Sequence, residues 1–374
     1  MGTPNMELKR INRNRIFRSI LRKGTTSKAE IAYELQISLP TVTQNIAALK
    51  AEGLVVESGE YESTGGRRAK MLSCSARARV AVGINVTRNH ISAVVMDLFG
   101  GLIDSVRESW DCIDTQSTIR KIQELTERML IANAIDDQTV LGVGIALPAI
   151  IDTDNLTVKT ALVVPLPMDF YQQLRTYIRF PYALFNDANC GGFAELWSRR
   201  PMERDIFYFS LSGTVGGAAV INNQIYTGCD FTGGEVGHMT LVPNGRRCYC
   251  GKRGCVDCYC SSNRLAELAP NGDLAAFFAA YQRGDAAAQQ RMEEYLDYLT
   301  VAIHNVRMLF DCNIILGGYV GSYSHLFLDA LKKRLFAADT FGHDVSYVTG
   351  CHYNTEAAAV GAALMYTSKF IDTI

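Results

Sequence analysis

One imidazole and three thiols stand close together in this 374-residue chain: His238 at the end of Gly234-Glu235-Val236-Gly237-His238, then the cysteines of Cys248-Tyr249-Cys250-Gly251-Lys252-Arg253-Gly254-Cys255. Four soft ligands at this spacing constrain the fold more tightly than any local propensity, because all four must meet around one point. Tetrahedral zinc takes such a set, and Gly251 and Gly254 let the loop turn closely about an ion. His238, Cys248, Cys250 and Cys255 are therefore assigned to a structural Zn2+ with no open position for activating water. Cys258 and Cys260 are surplus to a four-coordinate site and are expected as small side chains on a helix beginning near Gly254. The cysteine total of 11 is odd, which favours metal binding over a disulfide framework.

Charge divides the chain in two. Residues 1–79 hold 14 Lys and Arg against 7 Glu and no Asp, a net +7, while residues 80–374 carry a net −8. A basic head on an acidic body points to a polyanion as partner of the head alone. The length suits two or three folded units. The sequence has no apolar run of about 18 residues that could span a bilayer, and charged residues occupy the N-terminal stretch where a secretion signal is apolar, so a cytoplasmic protein without membrane contact is expected.

The head reads as helix, helix, turn, helix and hairpin. Ile16, Phe17, Ile20 and Leu21 fall on one face of a helix over 10–22. Ser27 and Glu30 form a capping box opening a helix over 28–35, and Ser38 with Pro40 starts a third whose apolar stripe is Val42, Ile46 and Leu49. Two short helices joined by a tight turn make a helix-turn-helix, and Thr41, Thr43, Gln44 and Asn45 are the small or amide side chains suited to a major groove. Residues 54–56 and 69–72 are expected as strands of a wing whose tip presents Arg67 and Arg68 to a minor groove or to phosphates.

From Val80 the pattern changes to strands and helices. Residues 80–85 and 91–97 read as a hairpin, and 206–220 with 224–226 repeat the theme through an Asn222-Asn223 turn. Two such units imply a duplicated α/β fold with a cleft between lobes.

These motifs resemble the ROK family of repressors and kinases along essentially the whole chain: the Gly-Gly-Arg-Arg wing at 65–68, the Gly-Glu-x-Gly-His stretch with its cysteines, and Asn186-Asp187. The resemblance implies a winged helix-turn-helix (residues 1–78) followed by a two-lobed actin-like ATPase fold, with lobe 1 at 79–190, completed by 350–374, and lobe 2 with the zinc loop at 191–349. It also implies a sugar pocket formed by Asn186, Asp187, Glu235, His238 and Asp257, with Asp187 at the position of the family's catalytic base. Several positions depart from the family. Asn85-Val86-Thr87-Arg88-Asn89-His90 stands where the kinases have Asp-x-Gly-Gly-Thr-Lys, so side chains occupy the place of close phosphate approach and ATP is not expected to bind. Gly317-Gly318 retains the second, adenosine-side glycine motif. Pro148-Ala149 replaces Pro-Gly, the run 161–167 lacks an expected Asn, and Asp257 replaces a longer Glu, leaving room for a ligand of different shape.

The sequence reading is thus a sugar-responsive DNA-binding repressor acting as a homodimer or homotetramer on a double-stranded operator, and not an enzyme. Two rivals stay open: an active sugar kinase fused to a DNA reader, and a constitutive or protein-controlled regulator with a vestigial pocket.

Overall fold

The computed structural model describes residues 4–60, 70–199, 205–342 and 344–374. The wing tip with Arg67 and Arg68 therefore lies outside the described residues.

The head forms three helices, Pro4–Lys23, Lys28–Leu35 and Leu39–Ala51. The first begins before the stretch marked by its apolar stripe. The Ser27 hydroxyl accepts from the Glu30 amide while the Glu30 carboxylate accepts from the Ser27 amide, the reciprocal bonding of a capping box. Ser38 caps the third helix through the Thr41 amide. An antiparallel sheet places Lys70–Cys74 between Thr25–Thr26 and Val55–Glu60.

Two five-stranded sheets carry the body, and they repeat one topology. In the first, an antiparallel meander of Val80–Val86, His90–Asp97 and Leu102–Ser109 is extended in parallel by Val140–Leu147 and Tyr182–Asn186. In the second, Ile206–Leu211, Val215–Ile221 and Gln224–Tyr226 form the meander, extended in parallel by Asn313–Gly317 and Val348–Gly350. Both hairpins read from sequence are present. Asn222 and Asn223 have φ of 53° and 61°, the double left-handed conformation of a type I′ turn, which Asn tolerates.

Helices Asp187–Ser198 and Ala357–Thr373 cross between the sheets at backbone contact. A Cβ on Gly361 would strike the Cys190 carbonyl, and one on Gly83 or Gly144 the carbonyl of Ala359 or Ala362. The first of these helices runs through the expected 190/191 division and packs against strands of both sheets. The C-terminal helix also closes the head's core: Ile371 and Ile374 are buried with Ile16, Phe17, Val42 and Leu72. At the same end Arg18 pairs with Asp372, and the Asn14 amide donates to the Ile371 carbonyl.

Gly83 is the sharpest test of this packing, since only backbone movement would admit a side chain there. The Gly83→Ala variant is expected to lose about 2–3 kcal/mol of unfolding free energy in urea titrations.

Candidate functional site

The groove-facing surface is the third helix. Thr43 and Gln44 are exposed, Thr41 is partly buried, and its hydroxyl lies 2.8 Å from that of Ser38. Asn45 departs from expectation. It is only 4% exposed, and its amide donates to the Thr41 carbonyl at 2.8 Å. The reason is the helical period: residue 45 lies beside Val42, Ile46 and Leu49 on the inner stripe, so its side chain serves its own helix. Much of the head's positive charge is also paired internally, Arg13 with Glu52, Lys23 with Glu34, and Lys50 and Lys70 with Glu57.

The loop 238–255 folds into a knot held by its own backbone. Cys248 N–H donates to Lys252 O, Gly251 N–H to Cys248 O, and Gly254 N–H to Arg246 O. Gly251 and Gly254 adopt φ of 91° and 79°, and a Cβ on Gly254 would strike the Val242 carbonyl. The ligand atoms of His238, Cys248, Cys250 and Cys255 converge within 4.8 Å of one another. Cys250 and Cys255 sulfurs stand 3.8 Å apart, and His238 Nδ1 is 3.9 Å from Cys248 Sγ. Two thiolates on a tetrahedral ion at about 2.3 Å would be separated by about 3.8 Å, so the four donors fit a metal ion. Cys258 and Cys260 lie outside this set, on the short helix Asp257–Cys260, with Cys260 fully buried in the lobe core. The other imidazole nitrogen, Nε2, faces the Tyr249 hydroxyl at 3.4 Å. Tyr249 was not singled out from sequence, although its position between two ligand cysteines forces it beside the imidazole.

Between the lobes lies a cleft of about 700 Å³ whose walls include Arg88, His90, Arg107, Asp187, Ser212 and Tyr319. Its first loop is spent on itself. The Thr87 amide donates to the His90 carbonyl, the Thr87 hydroxyl accepts from the His90 amide, and none of residues 87–90 has positive φ. The second loop is likewise engaged, because Gly318 N–H donates to the Tyr208 hydroxyl and Tyr319 N–H to Ser212 Oγ. Arg107 crosses the cleft, with its guanidinium 5.0 Å from the centre of the Tyr319 ring and donating to the Tyr319 hydroxyl at 2.8 Å. This bridge joins a strand of the first sheet to the short helix Gly318–Gly321 that follows a strand of the second, and it had no sequence signal, since its partners lie 212 residues apart.

Asn186 and Asp187 are consecutive but point to different places. Asn186 caps the helix, accepting from the Asn189 amide at 2.9 Å and donating to the Ala149 carbonyl at 3.2 Å, and it lines a separate cavity. Asp187 alone of the pair faces the cleft. Burial lifts its carboxyl to about 7, with the negative charge of Glu235 adding to the rise. Glu235 is also raised by burial. Asp257 is tied down, its Oδ2 accepting from the Val215 amide at 2.7 Å, while burial raises its carboxyl to about 6. Of the residues expected to form the pocket, only Asp187 is on the cleft wall; Glu235 is near enough for its charge to act on Asp187, while Glu235, His238 and Asp257 do not line the cleft and Asn186 lines the other cavity.

Residues 81–369 match the model of the ROK family, and residues 9–56 match that of a winged helix-turn-helix DNA-binding domain. The xylose repressor of Bacillus spizizenii is 29% identical over 259 residues, which is 69% of this chain and 67% of that protein. The N-acetyl-D-glucosamine kinase of Citrobacter koseri is 31% identical over 55% of this chain and 75% of its own length. Among solved structures, a ROK family transcriptional regulator described as a homologue of the E. coli Mlc protein shares the fold, with a TM-score of 0.77 at 19% identity over 98% of this chain and 97% of that one.

The raised carboxyl of Asp187 has a thermodynamic sign. Between about pH 4 and pH 7 the native state holds a proton that the unfolded chain has released, so stability falls as pH rises through that window. The Asp187→Asn variant removes this penalty. Thermal or urea unfolding is expected to show it close to wild type near pH 4 and more stable by up to about 4 kcal/mol at pH 8.

Proposed function

Because the chain belongs to the ROK family, we propose that it is a transcriptional repressor of carbohydrate uptake or catabolism genes, with an operator affinity set by a sugar bound in the interlobe cleft. One observation carries this reading: the first phosphate loop closes as a turn in which Thr87 and His90 bond to each other and no residue has positive φ, while the helical part of the DNA-reading head packs on the helix that also spans both lobes. Phosphoryl transfer depends on backbone donors aimed at phosphates; here the Thr87 and His90 amides are taken up within the turn, and Arg88 and Asn89 place side chains where close approach needs none. The xylose repressors among the relatives support the same reading.

In this proposal Thr43 and Gln44 read base edges and Thr41 supports the cap, with Arg67 and Arg68 on phosphates or in the minor groove. A homodimer or homotetramer would set the two heads at half-site spacing on a pseudo-palindromic operator in the cytoplasm, and sugar occupancy would alter that spacing. Asp187, Glu235 and His238 would hold hydroxyls, with Asn186 and Asp257 acting through the cap and the Val215 tether. Zinc at His238, Cys248, Cys250 and Cys255 would lock the loop that carries Glu235, supplying structure without an open coordination position.

A second reading, sugar kinase activity, draws on Asp187, whose carboxyl at about 7 is suited to a general base, and on the kinase relatives.

Four assays decide. In operator titrations Gln44→Ala is expected to weaken binding about tenfold without changing stability, whereas Asn45→Ala lowers stability by about 1 kcal/mol. D-xylose or N-acetyl-D-glucosamine added to the operator complex is expected to shift affinity at least tenfold, and indifference to every sugar tried would count against the proposal. A coupled ADP-release assay with the same sugars is expected to show no turnover; steady ADP production would establish the kinase. Atomic absorption is expected to find about one zinc per chain, lost in Cys255→Ser together with a drop in Tm.

A further inference from the structure

The cavity that Asn186 lines is not part of the interlobe cleft. It measures about 550 Å³ and lies where every unit of the molecule meets: Arg18 from the head, Ile151 and Thr153 from the first lobe, Gln224 and Thr227 from the hairpin of the second, and Ser368 from the C-terminal helix. None of Asp187, Glu235, His238 or Asp257 belongs to its wall. The geometry points to a second ligand site here, for an uncharged saccharide of one or two rings, with the docking of the DNA-reading head as its readout.

The wall's chemistry selects that class. Phe185, Phe193 and Phe231 offer apolar ring surface of the kind that covers the C–H face of a sugar, while Asn189, Gln224 and Ser368 offer amide and hydroxyl groups. Asn189 Oδ1 is buried and has no hydrogen-bond partner, an acceptor that a ligand hydroxyl would satisfy. The charged groups on the wall, Arg18 and Asp372, are paired with each other, so neither calls for a charged ligand. A space of this size holds a small organic molecule rather than one or two waters.

The readout follows from the same residues. Arg18 and Asp372 form the wall and also the ion pair joining the head to the C-terminal helix, beside the bond from Asn14 to Ile371. A ligand seated against Ser368 and Arg18 would bear on that junction directly, whatever occupies the cleft of Asp187. Ligand affinity and head position would then be linked reciprocally.

Calorimetry on the full chain with xylobiose, cellobiose and maltose tests the proposal, using wild type and three variants. Ser368→Phe fills the cavity, Asn189→Ala removes the free acceptor, and Asp187→Asn alters only the cleft. At least one disaccharide is expected to bind wild type and Asp187→Asn within twofold, and to bind both cavity variants at least tenfold more weakly. The same disaccharide is expected to change operator affinity at least fivefold in wild type and less than twofold in Ser368→Phe and Asn189→Ala, each relative to its own sugar-free affinity. Binding abolished by Asp187→Asn and kept by Ser368→Phe and Asn189→Ala would place the sugar in the cleft and overturn this site while upholding the proposed function. No binding of any of the three to folded, operator-competent wild type would overturn it as well.

Discussion

The two crossing helices, Asp187–Ser198 and Ala357–Thr373, set the terms for everything around them. They meet where Gly361 lies against the Cys190 carbonyl, and the second helix lies on Gly83 and Gly144 of the first sheet with no side chain between. Contact at backbone distance leaves a packed interface few intermediate positions, so motion of one lobe against the other must pivot about this crossing rather than slide through it. The N-terminal end of one helix carries Asp187 into the cleft, and the C-terminal end of the other carries Ile371 and Ile374 into the head. The 17 residues of the C-terminal helix extend about 25 Å, so a change at the pivot reaches the DNA-reading unit along a rigid element.

What could be read from the sequence was whatever depends on near neighbours along the chain. Caps at Ser27 and Ser38, the Asn222-Asn223 turn and the cysteine loop are each set by residues within a few positions of one another, and each formed as its chemistry required. The duplication of the hairpin theme was equally visible, because the strand patterns are local even though their pairing into two matching sheets is not.

Where placement departs from expectation, the direction of side chains and the run of elements are the reason. Asn45 has the composition of a base-reading residue, but one step along the helix turns it inward beside Val42 and Ile46, where its amide bonds to Thr41. Asn186 and Asp187 look like one bidentate unit, yet a strand ends and a helix begins between them, so their side chains diverge into separate cavities. The expected 190/191 division falls inside a helix for a related reason: a change of pattern marks where elements differ, not where a shared helix passes from one core to the next. The Arg107 to Tyr319 bridge had no local trace at all.

These features also bear on why a kinase-like body can report to DNA. In a phosphotransferase, closure of the lobes is completed by the nucleotide, whose phosphates draw the glycine loops together. Here Arg107 and Tyr319 already span the gap, and the loop amides of Thr87, His90, Gly318 and Tyr319 are engaged within the protein. The lobes are thus already bridged within the protein, with Asp187 on the wall of the same cleft. On the proposed function, a hydroxylated ligand pairing with the raised carboxyls of Asp187 and Glu235 would change their solvation and charge, the differential affinity that any shift of conformation requires. Since the C-terminal helix ends inside the head's core, that free energy would be expressed in how the head is held.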